Sequence, residues 1–339
     1  MVPGRADQGR RCDTRRAENS HPNWSDSIHA RHNTPRQGYR GLVDFTEIVV
    51  DTDRGSLPAL TAGTGPIVVC WHGFPDHPAA FGPVAEHLVA AGRRVIAPYL
   101  RGHHPATADT LRYADGISFA ADAAAVARAL DPAGVDMIGH DLGAGMVARV
   151  AAAWPETLCR GVTMAVPPPA VLRPLFADPA QSQRFFYIWL FQVRGLAETI
   201  LGANHDLIDY LWATWSPGLD PGEHRERIHA LYGDPALLAN ALRIYRSIFD
   251  TTLHDPELSA LSAKTEAPAR VPLLVLHGAD DGVIPAPAYD DAAAGLAAGS
   301  RVETVTAAGH FLHLEQPAEI ARLALAWFAG GDNDRAPGR

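Results

Sequence analysis

The most reactive arrangement in the sequence is a carboxylate in a glycine-flanked turn. The residues Gly139-His140-Asp141-Leu142-Gly143 directly follow the apolar run at residues 135–138. This pattern predicts a strand, a tight turn that exposes its middle side chain, and the start of a helix. A serine that attacked saturated carbon would become a stable ether, whereas a carboxylate becomes an ester that water can cleave. Asp141 therefore indicates alkyl transfer rather than acyl transfer.

Two other interpretations of this turn remain open at this point. Asp141 could simply be the N-cap residue of the following helix in any α/β fold. Residues 143–148 also fit GxGxxA, a pattern found in dinucleotide-binding proteins. That fingerprint belongs in the first strand-to-helix turn, and several strand-like runs precede this one, which disfavours nucleotide binding.

Three further segments are predicted at the same sheet edge. The loop Trp71-His72-Gly73-Phe74-Pro75-Asp76 ends a strand, and we expect the N–H groups of Phe74 and Leu142 to form an oxyanion hole. The turn after residues 273–277 offers Asp281 as the acid that orients a histidine, with Asp280 as the alternative and a solvated turn as the simplest interpretation.

A histidine after the last strand would complete the order nucleophile, acid, histidine. His310, preceded by Gly309, is the predicted base. His313 is expected to pack or to form hydrogen bonds nearby. Structural roles are expected for three other histidines, which are His140, His103 and His104. No spacing of histidines and carboxylates indicates a metal site, and no cofactor is predicted.

The elements that must position these groups alternate between β-rich runs and alanine-rich helical runs, which predicts a mostly parallel sheet covered on both faces. The eight predicted strands are residues 45–51, 57–62, 67–71, 94–98, 136–140, 161–166, 273–277 and 301–305. Predicted helices are residues 79–91, 119–130, 144–153, 287–297 and 317–328. Between the sixth and seventh strands, residues 167–270 lack strand patterns and predict a helical lid over the site.

The composition of the chain limits the classes of protein to which it can belong. The 339 residues are 47% hydrophobic with a net charge of −9, which predicts a sizeable enzyme core and no nucleic-acid partner. Three scattered cysteines predict a reducing, cytoplasmic compartment. Residues 1–40 lack a signal-peptide core or membrane span and are predicted to be disordered or to precede the true start. Residues 41–166 and 271–330 form the predicted core, residues 331–339 a flexible end, and no oligomeric state is predicted.

The chain resembles the epoxide hydrolase branch of the α/β-hydrolase superfamily. The resemblance rests on HGFP at residues 72–75, GHDLG at 139–143 and GHFLHLEQP at 309–317. It implies an α/β-hydrolase fold and two lid tyrosines that hold the epoxide oxygen. Tyr187 and Tyr245 match the tyrosine segments of that branch, although aromatic residues at helical spacing also pack cores. Tyr210 and Tyr232 are fallback candidates.

The expected reaction is conversion of an apolar epoxide to a vicinal diol, with the small substrate and water as the only partners. Asp141 would attack carbon, the tyrosines would polarise the oxygen, and His310 oriented by Asp281 would activate water. The side chains expected to line the substrate pocket are His72, Pro75, Trp189 and Phe311.

Three other functions compete with epoxide hydrolysis as interpretations of these residues. Haloalkane dehalogenases typically carry a tryptophan after the nucleophile, and fluoroacetate dehalogenases carry arginines there, where this chain has Leu142 and Gly145. Trp189 could still bind a halide, so dehalogenation is the main alternative. A non-catalytic ligand binder on the same scaffold is a second alternative. An esterase is disfavoured because no serine lies in a GxSxG setting.

Overall fold

A single mixed sheet organises the chain in a computed structural model that describes residues 28–29, 43–266 and 268–330. Its strands are β1 (Ile28–His29), β2 (Thr46–Thr52), β3 (Gly55–Ala62), β4 (Ile67–Trp71), β5 (Arg94–Pro98), β6 (Val135–His140), β7 (Leu158–Met164), β8 (Leu273–Gly278) and β9 (Arg301–Val305). All eight predicted strands are present, with shifts of up to three residues at their ends. The ninth, β1, lies within the tail for which disorder was predicted; the other tail residues lie outside the described residues.

The strand order is β1-β2-β3-β5-β4-β6-β7-β8-β9. The first three strands and the β3–β5 pair are antiparallel, and every pair from β5 to β9 is parallel. Parallel strands present their carboxyl ends at one edge, so the residues that follow β4, β6 and β8 meet there. The turn after β6 carries Asp141.

Helices cover both faces of the sheet. They are α1 (Gly82–Ala90), α2 (Gly116–Leu130), α3 (Leu142–Ala153), α4 (Pro169–Leu175), α5 (Pro179–Arg184), α6 (Phe186–Gln192), α7 (Leu196–Asn204), α8 (Asp206–Trp215), α9 (Glu223–Tyr232), α10 (Pro235–Arg246), α11 (Ser259–Ser262), α12 (Leu312–Glu315) and α13 (Pro317–Ala329). Shorter 3-10 turns link several of them. Among the described residues between β7 and β8 there are helices and no strands.

Successive side chains along a β-strand point to opposite faces of the sheet. The central strands therefore contribute side chains to two hydrophobic clusters, one on each face. Val69 and Met137 belong to the cluster that includes α2 and α3, whereas Val68 and Ile138 face the cluster that includes α1 and α13. The alanine-rich α2 is buried along most of its length because small side chains allow close packing against α3. The β6 strand, which leads into the turn that carries Asp141, is buried at all of its residues.

One predicted helix, residues 287–297, is wrong. The structure has two 3-10 turns there, Ala286–Tyr289 and Ala292–Gly295. Alanines favour a helix, but the chain is drawn inward as Tyr289 stacks on His277 with ring centroids 4.2 Å apart. Tertiary packing therefore outweighs local propensity in this segment.

The cysteines divide between a thiol and a disulfide. Cys70 is a buried free cysteine in β4, whereas Cys159 is disulfide-bonded. A cytoplasmic location stays a prediction. None of the described helices is long and apolar enough to span a bilayer.

Candidate active site

Asp141 occupies a strained turn between β6 and α3. Its φ of 51° and ψ of −114° lie in a region that side chains other than glycine rarely adopt. The turn is tight enough that a Cβ added to Gly143 would lie 2.1 Å from the Trp71 carbonyl oxygen. The glycine is therefore required by the close approach of α3 to β4. This geometry projects the Asp141 carboxylate above the sheet edge.

A backbone donor from the β4 loop holds one oxygen of this carboxylate. The Phe74 N–H donates to Asp141 Oδ1 over 2.8 Å. A Cβ on Gly73 would lie 2.4 Å from Asp141 Oδ1, so glycine is needed for the loop to approach. Leu142 begins α3, and no acceptor in the described part of the chain takes its N–H. The role of Phe74 and Leu142 as oxyanion donors stays a prediction.

The predicted base, His310, lies between the predicted nucleophile and the predicted orienting acid. His310 Nε2 is 3.6 Å from Asp141 Oδ2, and His310 Nδ1 is 3.0 Å from Asp281 Oδ2. Asp281 is buried and its other oxygen accepts the N–H groups of Val283 and Ile284. The alternative acid, Asp280, is exposed to solvent. The structure therefore brings Asp281, rather than Asp280, to the histidine.

The charges around His310 set its protonation. Burial lowers the pKa of the imidazole, but the carboxylates of Asp281 and Asp141 outweigh that effect and raise the pKa from 6.5 to about 10. The resting site therefore holds an imidazolium between two carboxylates. Conversion of Asp141 to an ester would remove one of those negative charges and so lower the pKa of His310. The arrangement can thus produce a neutral base after an alkyl group has been transferred.

A cavity of about 570 Å³ opens onto Asp141. It lies between the sheet edge and the helical segment, and Asp281 and His310 sit behind its wall rather than in it. Its apolar lining includes Ile117, Phe119, Met146, Val166, Leu172, Phe176, Phe185, Ile188, Ile244, Val283 and Ile284. The cavity therefore suits a largely apolar molecule with one reactive group near the carboxylate.

Tyr187 and Tyr245 line the same cavity as Asp141. Tyr187 belongs to α6 and Tyr245 to α10, and their ring centroids are 5.7 Å apart. Burial, followed by the charge of Asp141, raises the pKa of both phenols well above 10, so both stay protonated. The buried Tyr245 hydroxyl has no hydrogen-bond partner within the described residues. Two protonated phenols therefore line the cavity that opens onto the Asp141 carboxylate.

The fallback tyrosines stand elsewhere. Tyr210 is 54% exposed on α8. Tyr232 is fully buried and packs edge-on against Phe74, but it does not line the cavity.

The cavity is not lined by any of the four side chains expected in the pocket, which are His72, Pro75, Trp189 and Phe311. That prediction is wrong. His72 is buried, and its Nε2 accepts the Leu100 N–H over 3.1 Å. The Pro75 carbonyl accepts the Trp212 indole N–H, and Phe311 stacks on the same indole at 4.0 Å. These three residues are not among those that line the cavity.

Trp189 points to the outside of the helical segment. It is 38% exposed and stacks on Phe249 at a centroid distance of 5.3 Å. Residues two positions apart on a helix lie about 200° apart around its axis, so Tyr187 reaches the cavity while Trp189 does not. The predicted placement of Trp189 in the pocket is therefore wrong.

Three residues that the sequence analysis did not select hold the histidine loop. The Trp215 carbonyl accepts the N–H groups of both His310 and Gly282 over 3.0 Å. The Ser216 hydroxyl accepts the Phe311 N–H and donates to Glu315, which also accepts the Gly309 N–H. Glu315 lies within the GHFLHLEQP segment and could have been noticed, but no sequence pattern marks the end of α8.

Comparisons with known proteins agree with the fold of this chain. Residues 66–317 match the model of the alpha/beta hydrolase fold family. The chain belongs to this family. It is 26% identical to epoxide hydrolase A of Mycobacterium tuberculosis, covering 84% of this chain and 98% of that protein. A non-heme chloroperoxidase of Streptomyces lividans is 30% identical, covering 67% of this chain and 77% of that protein.

Solved structures give the same fold. An epoxide hydrolase from an endophytic Streptomyces superposes with a TM-score of 0.66 at 26% identity, covering 85% of this chain and 96% of that one. The similarities to epoxide hydrolases agree with the resemblance to the epoxide hydrolase branch. Another relative of this chain is named a chloroperoxidase.

Proposed function

We propose that this protein hydrolyses apolar epoxides to vicinal diols through an ester on Asp141. One observation carries the proposal: a carboxylate on a strained turn faces an apolar cavity that two protonated tyrosines also line. A carboxylate can open a strained ring by attack on carbon only if the departing oxygen is stabilised. The two phenols supply that stabilisation.

In the first step Asp141 Oδ2 or Oδ1 attacks an epoxide carbon, and the carbon–oxygen bond of the ring breaks. The phenolic hydrogens of Tyr187 and Tyr245 bind the developing alkoxide, which takes up one proton. That proton comes ultimately from the imidazolium of His310, because the loss of the Asp141 charge lowers the affinity of the imidazole for it. The step leaves a hydroxyalkyl ester and a neutral histidine.

In the second step His310 removes a proton from water while the hydroxide attacks the carbonyl carbon of the ester. The N–H group of Phe74, which donates to Asp141 Oδ1 before the reaction, and that of Leu142 bind the oxygen that becomes negative. Collapse of the intermediate releases the diol and returns the carboxylate beside a protonated His310. The net reaction consumes one epoxide and one water, and it needs no other reactant.

Dehalogenation is the second candidate because it uses the same nucleophile. A halide leaving group requires donors such as indole N–H groups, yet no tryptophan lines the cavity within the described residues. The tryptophan considered for that task, Trp189, lies on the outer surface. A non-catalytic binder is disfavoured because such a protein has no need of the triad geometry. Epoxide opening is therefore the better-supported chemistry.

The decisive experiment is a single turnover with excess enzyme in water labelled with a heavy oxygen isotope. A styrene oxide-type epoxide should give a diol without the label, because its new oxygen comes from Asp141. The label should appear in the peptide that contains Asp141, since water attacks the carbonyl of the ester. Mass spectrometry of both species makes the measurement.

The control is the Asp141→Asn variant, which should form neither diol nor labelled peptide. A diol that carries the label after one turnover would mean that water attacks the epoxide directly, and the ester mechanism would be rejected. A parallel assay with short haloalkanes that released halide faster than the epoxides gave diol would favour the second candidate.

A further inference from the structure

Behind the candidate active site lies a second group of polar side chains, which the proposed reaction does not use. It consists of Asp76, in the loop after β4, His140, at the end of β6, and His313 in α12. All three side chains are fully buried. One atom from each lies within 4.8 Å of the others. They are far apart in the sequence, which is why their spacing predicted no metal site.

The atoms that face each other are not satisfied by hydrogen bonds. Asp76 Oδ2, His140 Nδ1 and His313 Nε2 all lack a hydrogen-bond partner within the described residues. The separations from Asp76 Oδ2 are 3.5 Å to His140 and 3.4 Å to His313. Hydrogen bonds between a charged nitrogen and a carboxylate are shorter, about 2.7–2.9 Å. A buried carboxylate oxygen without a close donor is unfavourable unless another group binds it.

The surrounding contacts orient these atoms inward. The other oxygen of Asp76 accepts the His77 N–H over 2.7 Å. His140 Nε2 lies 3.0 Å from the His310 carbonyl oxygen. A carbonyl can only accept, so Nε2 carries the hydrogen and Nδ1 of a neutral His140 presents a lone pair to Asp76. A second-sphere hydrogen bond that fixes the tautomer in this way is typical of histidines that bind metals.

The two separations from Asp76 Oδ2 match the edges of a metal polyhedron. Tetrahedral zinc binds nitrogen and carboxylate oxygen at about 2.0–2.1 Å, which places neighbouring ligands about 3.3–3.4 Å apart. We propose that Asp76, His140 and His313 bind a divalent d-block cation of the zinc type, with a water or hydroxide as the fourth ligand. The ion would link the segments that carry Phe74, Asp141 and His310. It would therefore fix the spacing of the donor, the nucleophile and the base.

Cobalt(II) provides the test because its tetrahedral complexes absorb strongly in the visible range. Untagged full-length protein should first be assayed for bound zinc by elemental analysis. It should then be freed of metal with a chelator and titrated with cobalt(II), both in the native state and during refolding. We expect one equivalent to bind with intense visible bands, to be displaced by zinc, and to raise the thermal unfolding temperature.

Two variants separate this site from adventitious binding. Asp76→Asn keeps the shape but removes the anionic ligand, and His313→Gln removes one nitrogen; each should lose the visible bands and at least about tenfold in affinity. His229→Gln removes a histidine from a pair with Asp209 on the helical segment and should behave as the parent protein.

Three results would overturn the proposal. They are an absence of stoichiometric cobalt in both native and refolded parent protein, equal bands in His313→Gln, and loss of the bands only in His229→Gln. If Asp76→Asn fails to fold, the comparison of His313→Gln with His229→Gln still decides the matter.

Discussion

Two sides of the candidate site are built in different ways. The triad side consists of Asp141, Asp281 and His310, and the tyrosine side consists of Tyr187 and Tyr245. On the triad side, directional bonds orient each group: Asp141 takes a backbone N–H, Asp281 takes two, and both His310 nitrogens face carboxylates. On the tyrosine side, packing places the rings of Tyr187 and Tyr245. Tyr187 contacts the Trp215 ring at 4.9 Å, and the Tyr245 hydroxyl has no partner within the described residues.

This difference has a physical consequence. Hydrogen bonds to backbone groups at strand ends fix a side chain within a narrow range of positions, because the sheet beneath cannot shift. Aromatic contacts between helices define a location less sharply, and they can adjust to a ligand. We therefore expect the triad side to determine the chemistry and the tyrosine side to determine how an epoxide is oriented.

The largest predicted effect on the triad side comes from replacing the base, His310. In His310→Gln the ester should still form, but its hydrolysis should slow by roughly four orders of magnitude because no group activates water. Incubation with a styrene oxide-type epoxide followed by peptide mass spectrometry should show an adduct on the peptide that holds Asp141.

The double variant with Asp141→Asn and His310→Gln serves as the control and should carry no adduct. A second control is Asp280→Asn, which changes the exposed neighbour of Asp281 and should leave turnover within about twofold. Rapid diol formation by His310→Gln would show that another group activates water, and the role of the histidine would have to be abandoned.

Much of the triad side could be predicted from the sequence because its residues lie in short motifs directly after strands. A parallel sheet brings strand ends together whatever the rest of the chain does, so Asp141, Asp281 and His310 could be predicted to meet. The pocket-lining residues could not, because their placement depends on helix rotation. Trp189 and Tyr187 are two residues apart, yet only the tyrosine lines the cavity.

Contacts between segments that are distant in the sequence could not be predicted for a related reason. Ser216 ends α8 and binds Glu315 and the Phe311 N–H, which are about a hundred residues further along the chain. Nothing near Ser216 in the sequence indicates this contact. The three-residue group of Asp76, His140 and His313 could not be predicted for the same reason.

A smaller effect should come from the tyrosine side. We expect Tyr187→Phe and Tyr245→Phe each to slow ester formation about a hundredfold, because each removes one donor to the developing alkoxide. Hydrolysis of the ester should be nearly unaffected. Rapid-mixing kinetics that resolve the two steps make the measurement, with Tyr210→Phe as a control on the exposed surface. If both variants slowed hydrolysis instead, the tyrosines would belong functionally to the triad side.

The smallest predicted effect concerns the Ser216 hydroxyl, which connects the end of α8 to the loop that carries His310. Ser216→Ala should leave ester formation within about twofold but slow ester hydrolysis about tenfold, because the loop that carries His310 loses an anchor and small displacements weaken catalysis. Ser216→Thr keeps the hydroxyl and should restore most of the rate. Thr214→Ala, which removes an exposed hydroxyl two residues earlier, is the matched control. A merely structural role would lower the unfolding temperature of Ser216→Ala and slow both steps equally, so an unequal effect on the two rate constants identifies Ser216 as a positioning residue.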